Sequence, residues 1–283
     1  MNLWEKVVSR LTHWKGGPAH SAPLPRMGDE PLVHLAIAGD VGRPGPHLDA
    51  IGAAIAKIGK MQPYDALLLL GDNVYPRGDP RKLPETVFKP FGTVLDQGAA
   101  LLAILGNHDV KDGNGPEQLR VLGMECAWWS RRFGDVLVVG LDSHEVENDA
   151  QHAWLEETLA NSDARWKIVA VHDSPYSAGY QGSDLRVRER WAPLFARHGV
   201  QLVFSGHDHD YQRSHPIDGV TYVISGAAAR TRRSGARDFT AVSFKWHHFV
   251  DVQVFADRLE LRAVNAELLV GDERTFGTVS ARE

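Results

Sequence analysis

Cysteine is nearly absent from the sequence: the 283 residues contain one, Cys126. A single cysteine forms no internal disulfide and supplies no cluster of thiolates for a metal ion. No matched nucleophile signature surrounds Cys126, so we expect a small buried hydrophobic residue rather than a reactive thiol.

An excess of positive charge and long apolar runs are also lacking. The chain carries 31 basic and 36 acidic residues, with a formal net charge of -5. No nucleic-acid partner is therefore expected, and an anionic substrate would need a locally positive site, which metal ions can supply. No apolar run reaches the roughly eighteen residues of a membrane span, and the N-terminus lacks the features of a signal peptide. We expect a cytoplasmic protein without a transmembrane segment.

The chain divides into a short N-terminal region, residues 1–29, and one main domain, residues 30–283. Apolar residues from Leu3 to Trp14 recur at helical spacing and predict an amphipathic helix. Few basic residues lie on its polar side, which favours packing on the domain or on a partner over a membrane interface. Residues 16–31 are rich in Gly and Pro and predict a tether.

Short apolar runs in the main domain end in polar clusters. The runs are 32–38, 66–70, 99–105, 136–141, 166–171 and 200–204, with helices predicted at 48–58, 150–159 and 186–197. Strands that alternate with helices predict βαβ units, whose ligands bind beyond the carboxyl ends of the strands. After about residue 218, successive strand patterns with short turns predict an antiparallel portion of the sheet.

The polar clusters contain oxygen and imidazole donors and no sulfur. Their members are Asp40, Asp72, Tyr75, Asn107, His108, His172, His207 and His209. Such donors suit Zn, Fe, Mn or Mg, and they suffice for two metals if one carboxylate bridges. Each cluster also has an ordinary explanation when taken singly, such as a Gly-Asp turn or a pair of surface histidines.

The order of the motifs is more specific than any single one. The series GD, GDNVY, GNHD, VH and GHDH, between about residues 34 and 228, resembles the calcineurin-like metallophosphoesterase superfamily. Tyr75 at the end of GDNVY, Gly42 where many relatives carry a histidine, and the stretch GHDHDYQR are similar to the purple acid phosphatase branch. The resemblance implies a single-domain α/β/β/α sandwich with a mixed sheet core.

The resemblance also implies a ligand set for two metals. One metal would be held by Asp40, Asp72, Tyr75 and His209, and the other by Asp72, Asn107, His172 and His207. Asp72 would bridge them. A tyrosinate favours ferric iron, so the implied pair is Fe(III) with a divalent Fe, Zn or Mn ion.

The implied reaction is the hydrolysis of a small-molecule phosphate monoester by a metal-activated hydroxide. His108 matches the histidine that contacts the phosphoryl group, although it could instead orient a metal ligand. Arg230 is a candidate substrate contact within RTRRSGAR, where a solvated loop is the simpler interpretation. Trp128 and Trp129 could stack on a leaving group, but strand packing is favoured.

Three questions remain open at this stage. Relatives carry a further histidine near the position of Gln181, so the leaving group could take its proton from Tyr180, Asp173 or metal-bound water. The same metal motifs would also serve a phosphodiesterase acting on cyclic nucleotides or glycerophosphodiesters. A non-catalytic interaction scaffold that docks a partner through the N-terminal helix is the alternative from another class.

Overall fold

Two seven-stranded sheets form the frame of the protein in a computed structural model, which describes residues 22–23 and 30–277. The predicted N-terminal helix lies outside the described residues. The strands are β1 (Ala22–Pro23), β2 (Val33–Ala38), β3 (Ala66–Leu69), β4 (Ala100–Ala103), β5 (Trp129–Phe133), β6 (Val136–Leu141), β7 (Trp166–Val171), β8 (Leu202–Ser205), β9 (Tyr211–Ser214), β10 (Thr221–Ser225), β11 (Thr240–Phe244), β12 (Phe249–Val254), β13 (Arg258–Val264) and β14 (Leu269–Gly277). The helices are α1 (Pro46–Met61), α2 (Lys89–Asp96), α3 (Gly115–Leu122), α4 (Asp149–Ala160) and α5 (Leu185–Arg197).

Both sheets are mixed. The first has the order β1-β14-β13-β12-β2-β3-β4, in which β2, β3 and β4 are parallel and β12, β13 and β14 run antiparallel to their neighbours. The second has the order β11-β9-β10-β8-β7-β6-β5, in which β6, β7, β8 and β10 are parallel. The carboxyl ends of the parallel strands in each sheet therefore lie at one edge, where a site can be assembled.

Alternate residues of β6 show how the layers are arranged. Val138 packs into the core shared by the two sheets, which also contains Ile51 of α1 and Phe91 of α2. The next residue, Val139, packs into a separate core with Trp191 of α5. Since successive strand residues face opposite sides, the sheets lie against each other with helices outside them. The predicted α/β/β/α sandwich is confirmed.

Several elements follow the sequence pattern and others do not. The bounds of β6 and β7 coincide with the predicted runs, and the antiparallel strands after residue 218 are present. Strands β5 and β9 and helices α2 and α3 were not predicted. None of the helices in the described part of the chain is long and apolar enough to cross a membrane.

Two side chains in and before β5 test the packing predictions. Trp129 is buried in β5 and its indole N–H donates a hydrogen bond to the Ala103 carbonyl at 2.9 Å, so it packs as predicted. The expectation that Cys126 is buried is wrong, because Cys126 is exposed in the bend that precedes β5. Its thiol contacts the carbonyl of Trp128 at 2.8 Å, within the same bend.

Candidate metal centre

The predicted ligands follow strand ends with an unusual backbone. Asp40, Asp72 and His207 adopt φ values of 57°, 51° and 69°, in the left-handed region that few non-glycine residues occupy. The turns they make direct their side chains toward one another. Ligand atoms of Asp40, Asp72 and His172 lie within 4.8 Å of one another, and all three residues are buried. Backbone strain of this kind is typical of functional sites.

Glycines precede several of the predicted ligands, because the loops that carry the ligands approach one another closely. A Cβ atom at Gly106 would lie 2.3 Å from Asp72 Oδ1, and one at Gly206 would lie 2.6 Å from Asp40 Oδ2. Both distances are shorter than a carbon atom can approach an oxygen. The glycines of GNHD and GHDH therefore provide the space in which the carboxylates lie.

One group of donors combines a carboxylate, a phenol and an imidazole. The Tyr75 hydroxyl donates a hydrogen bond to Asp40 Oδ1 at 2.9 Å and lies 3.1 Å from His209 Nε2. His209 Nε2 is 3.3 Å from Asp40 Oδ1. These three side chains converge, and they belong to the set that the resemblance assigns to one metal.

A second group surrounds the Asn107 amide. Asn107 Oδ1 lies 3.3 Å from His172 Nε2 and 3.0 Å from His207 Nδ1. His172 Nδ1 lies 2.8 Å from the Leu70 carbonyl, to which it must donate, so in the neutral ring Nε2 carries the lone pair that can bind a metal. This bond to the backbone orients the ring in the way that is usual for metal-binding histidines.

Asp72 lies between the two groups. Its Oδ1 is 3.6 Å from His172 Nε2, and its carboxylate also interacts with the Tyr75 hydroxyl. The structure thus brings all seven predicted ligands to one place, in two adjoining groups joined by one carboxylate. Two oxygen and nitrogen donor groups that share a carboxylate match the requirements of a two-metal site.

The carboxylates of this cluster shift the pKa values of its other ligands. Burial and the neighbouring Asp40 and Asp72 raise the pKa of Tyr75 well above its usual range. Burial would lower the pKa of His172, but the same two carboxylates raise it to about 9. At Tyr75 and His172 the neighbouring carboxylates therefore favour bound protons, and metal cations would reverse that preference and favour the deprotonated ligands.

His108 lies beside the centre and not within it. Its backbone N–H donates to Asp72 Oδ1 at 2.9 Å, while its ring Nε2 is 4.0 Å from Asp72 Oδ2. Ring Nδ1 lies 2.6 Å from the Pro76 carbonyl, and the ring packs edge-on against Tyr75. The imidazole is thus held over the centre by backbone and ring contacts, with part of it open to the cleft.

A cleft of about 270 Å³ opens over the donors. Its lining residues are Arg43, Asp72, Tyr75, Pro76, Asn107, His108, Gln181, His207, His209, Arg230 and Arg232. Asp40 and His172 lie buried below it. Of the side chains considered for proton transfer, Tyr180 is 79% exposed, and Asp173 lies 3.6 Å from His207 Nε2. Gln181, which cannot transfer a proton, lines the cleft itself.

Asp109 is an important residue that sequence reasoning did not identify. Its buried carboxylate accepts hydrogen bonds from the backbone N–H groups of Gly106, Asn73 and Val74 at 2.9, 3.0 and 3.0 Å. It also accepts from the side chain of Gln118 at 3.0 Å. Asp109 therefore joins the loop that carries Asp72 and Tyr75 to the loop that carries Asn107. The only signal in the sequence was its place as the last letter of GNHD.

The sequence is similar to that of several known proteins. Residues 33–211 match the model of the calcineurin-like phosphoesterase family. Purple acid phosphatase 17 of Arabidopsis thaliana is 26% identical over 245 residues, covering 74% of this chain and 72% of the relative. Two longer uncharacterized proteins from strains of Mycobacterium tuberculosis are 32% identical over 151 residues, but the match covers 40% of this chain and only 28% of their length.

Solved structures support the fold. The purple acid phosphatase PPD1 from yellow lupin (Lupinus luteus) seeds has a TM-score of 0.76 and 18% identity, covering 90% of this chain and 55% of that one. GAP50 of Plasmodium, described as an anchor in the inner membrane complex, has a TM-score of 0.77 and 14% identity, covering 88% and 89%. The family match spans most of the chain and includes every predicted metal ligand. This chain therefore belongs to the calcineurin-like phosphoesterase family, with purple acid phosphatases among its homologues.

Proposed function

We propose that the protein hydrolyses phosphate monoesters at a binuclear metal centre at the base of the cleft. The observation that carries this proposal is the convergence of seven oxygen and nitrogen donors into two groups that share Asp72. The family match supports phosphate ester hydrolysis in general. The choice of monoesters rests on the purple acid phosphatase relatives, which are known as phosphatases.

The two donor groups differ in chemistry, and the difference supports a proposed metal for each. The group with Asp40, Tyr75 and His209 contains a phenol, which as a phenolate is a hard anionic ligand that favours Fe(III). The group with Asn107, His172 and His207 is neutral apart from the shared Asp72, and it suits a divalent Fe, Zn or Mn ion. When bound, such a metal pair polarises the phosphoryl oxygens and activates a water molecule for attack on phosphorus.

The chain's own side chains orient the substrate and stabilise developing charge. His108 is held over the centre by the Pro76 carbonyl and the Tyr75 ring, and its exposed edge is suited to hydrogen-bond a phosphoryl oxygen. His108 holds the predicted ligand Asp72 through its backbone N–H, while its ring Nε2 is 4.0 Å from Asp72 Oδ2, so orienting a metal ligand is the weaker interpretation for the side chain. Gln181 stands where relatives carry a histidine, so we propose that esters with good leaving groups react fastest.

Parallel assays with a chromogenic phosphate monoester and its bis-aryl diester test the proposal. The protein should be loaded with iron and zinc, and His108→Ala should be compared with the wild type. We expect monoester turnover to exceed diester turnover, and we expect His108→Ala to lower kcat by roughly 10² to 10³, as removing one oxyanion donor does. Cleavage of the diester alone would identify a phosphodiesterase. No turnover of either ester by metal-loaded protein would instead favour a non-catalytic scaffold.

A further inference from the structure

Three arginines line the cleft without an acidic partner in the part of the chain that the structure describes. Arg43, Arg230 and Arg232 all line it, and none forms an ion pair with a carboxylate among the residues that the structure describes. By contrast, Arg77 and Arg81 in the loop after Tyr75 pair with Asp112 and Asp79. The protein has more carboxylates than basic side chains, with a formal net charge of -5, so a shortage of acidic residues does not explain the missing pairs. The three guanidinium groups are therefore left available to an anionic ligand.

Both segments that carry these arginines are fixed to the metal-ligand loops. The Arg232 backbone N–H donates to the carbonyl of His209 at 2.6 Å. Gly42, which precedes Arg43, donates to the Asp72 carbonyl at 2.8 Å and accepts from the Tyr75 N–H at 3.0 Å. The bases of the arginine side chains are thus held at fixed positions relative to the centre. With the backbone fixed, binding orders only the side chains, which costs less entropy than ordering a free loop as well.

The Arg232 side chain is oriented as well. Its guanidinium carbon lies 5.1 Å from the centre of the Tyr180 ring, a distance suited to a cation–π contact. Tyr180 is 79% exposed, so the pair stands at the rim of the cleft. A guanidinium that stacks on a ring keeps its N–H groups free in its own plane, where they can bind phosphate oxygens.

These charges exceed what a single phosphoryl group requires. In the proposed function, the metals and His108 already contact the phosphoryl group that is cleaved. Three further cations line the same cleft and are left to bind another part of the substrate. We propose that the preferred substrates carry a second phosphoryl group on the leaving-group side, bound by Arg43, Arg230 and Arg232. This inference rests on the proposed function, because it assumes that the reacting phosphoryl group occupies the metal centre.

Fructose 1,6-bisphosphate and fructose 6-phosphate form a suitable pair of probes, because each offers a primary alkyl phosphate and only the first has another phosphoryl group. We expect kcat/KM to be roughly 10-fold to 100-fold higher for the bisphosphate, well above the twofold statistical advantage of two esters. Raising the NaCl concentration should reduce that preference, because salt screens exposed charges.

Variants on one loop make the matched comparison. In Arg230→Met/Arg232→Met, the ratio of the two kcat/KM values should fall to about 2, and lysine at both positions should restore part of it. Arg233→Met and Arg237→Met should keep the wild-type ratio, because Arg233 and Arg237 do not line the cleft. The inference is overturned if the wild-type ratio is about 2, or if the double methionine variant keeps the wild-type ratio while remaining folded.

The outcomes separate the inference from the proposed function. Equal hydrolysis of both compounds overturns the inference and leaves the phosphatase proposal in place. If the metal-loaded protein hydrolyses neither compound but cleaves the chromogenic monoester, the proposed function stands, and if it cleaves none of the three, the proposed function fails. Calorimetric binding of the two compounds then decides the inference: at least tenfold tighter binding of the bisphosphate that is lost in Arg230→Met/Arg232→Met supports it, and equal binding overturns it.

Discussion

The replacement Asp109→Asn tests whether a buried carboxylate holds the ligand loops together. Asp109 Oδ2 accepts hydrogen bonds from the N–H groups of Gly106 and Asn73, and Oδ1 accepts from Val74 N–H and the Gln118 amide. Asparagine has nearly the same shape, but its NH2 group is a donor. Whichever oxygen it replaces, two or more buried donors lose their acceptor.

The expected loss of stability is large for an isosteric change. A buried donor without a partner costs about 1–3 kcal/mol, so two such donors destabilise the protein by about 2–6 kcal/mol. The loops that carry Asp72 and Asn107 would also lose their common attachment. We therefore expect metal content and turnover to fall together with stability.

Urea denaturation and metal analysis of the purified variant measure both effects. Asp112→Asn is the matched control, because Asp112 lies three residues away on the surface and pairs with exposed Arg77. That control should change the unfolding free energy by no more than about 0.5 kcal/mol. A loss below about 1 kcal/mol in Asp109→Asn, with normal metal content, would refute the structural role given to Asp109.

Three further predictions concern Tyr75, His248 and two glycines. Tyr75→Phe should abolish the visible charge-transfer band of iron-loaded protein, because the phenolate ligand is lost; a retained band would exclude Tyr75 as a ligand. Burial lowers the pKa of His248 to about 4, so the unfolded chain takes up its proton first as pH falls below about 6.5. The stability that neutral His248 contributes is full above that pH and about 1 kcal/mol lower at pH 5.5. Urea titrations at pH 7.5 and 5.5 should therefore show a smaller loss of unfolding free energy in His248→Asn than in the wild type. An equal loss in both proteins would contradict the assignment. Gly52→Ala should destabilise the protein by about 1–3 kcal/mol, because its Cβ would lie 2.0 Å from the Pro90 carbonyl oxygen. Gly92→Ala has open space around its Cβ and should stabilise α2 by about 0.5–1 kcal/mol. Thermal unfolding that reverses this order would refute the packing argument.

Elements whose own sequence is apolar could be predicted, and elements that depend on distant contacts could not. Strands β6 and β7 are continuous apolar runs buried on both faces, so their bounds were evident from the sequence. Strand β9 is polar in sequence and is buried because Tyr211 and Arg213 both bond to Asp272, 61 and 59 residues away. Helix α2 contains Pro90 near its start, a position where proline is tolerated but which reads as a break.

The same distinction applies to the site. The donors could be predicted because each follows an apolar run and carries the chemistry of a metal ligand. The function of Asp109 could not, because its partners Asn73 and Val74 are 36 and 35 residues away and meet it only in the folded chain. Arg43 and Arg232 likewise gain their place at the cleft from backbone contacts between distant loops.

Metal stoichiometry is the most direct test of the central claim. Protein purified from metal-replete cells should be analysed by mass spectrometry for bound metals, alongside an Asp72→Asn variant, and both should be assayed for phosphatase turnover. The account predicts two metal ions per chain in the wild type, one or none in Asp72→Asn, and a parallel loss of turnover. Full phosphatase turnover in wild-type protein stripped of metal by chelation, or two tightly bound ions and full turnover in Asp72→Asn, would contradict it.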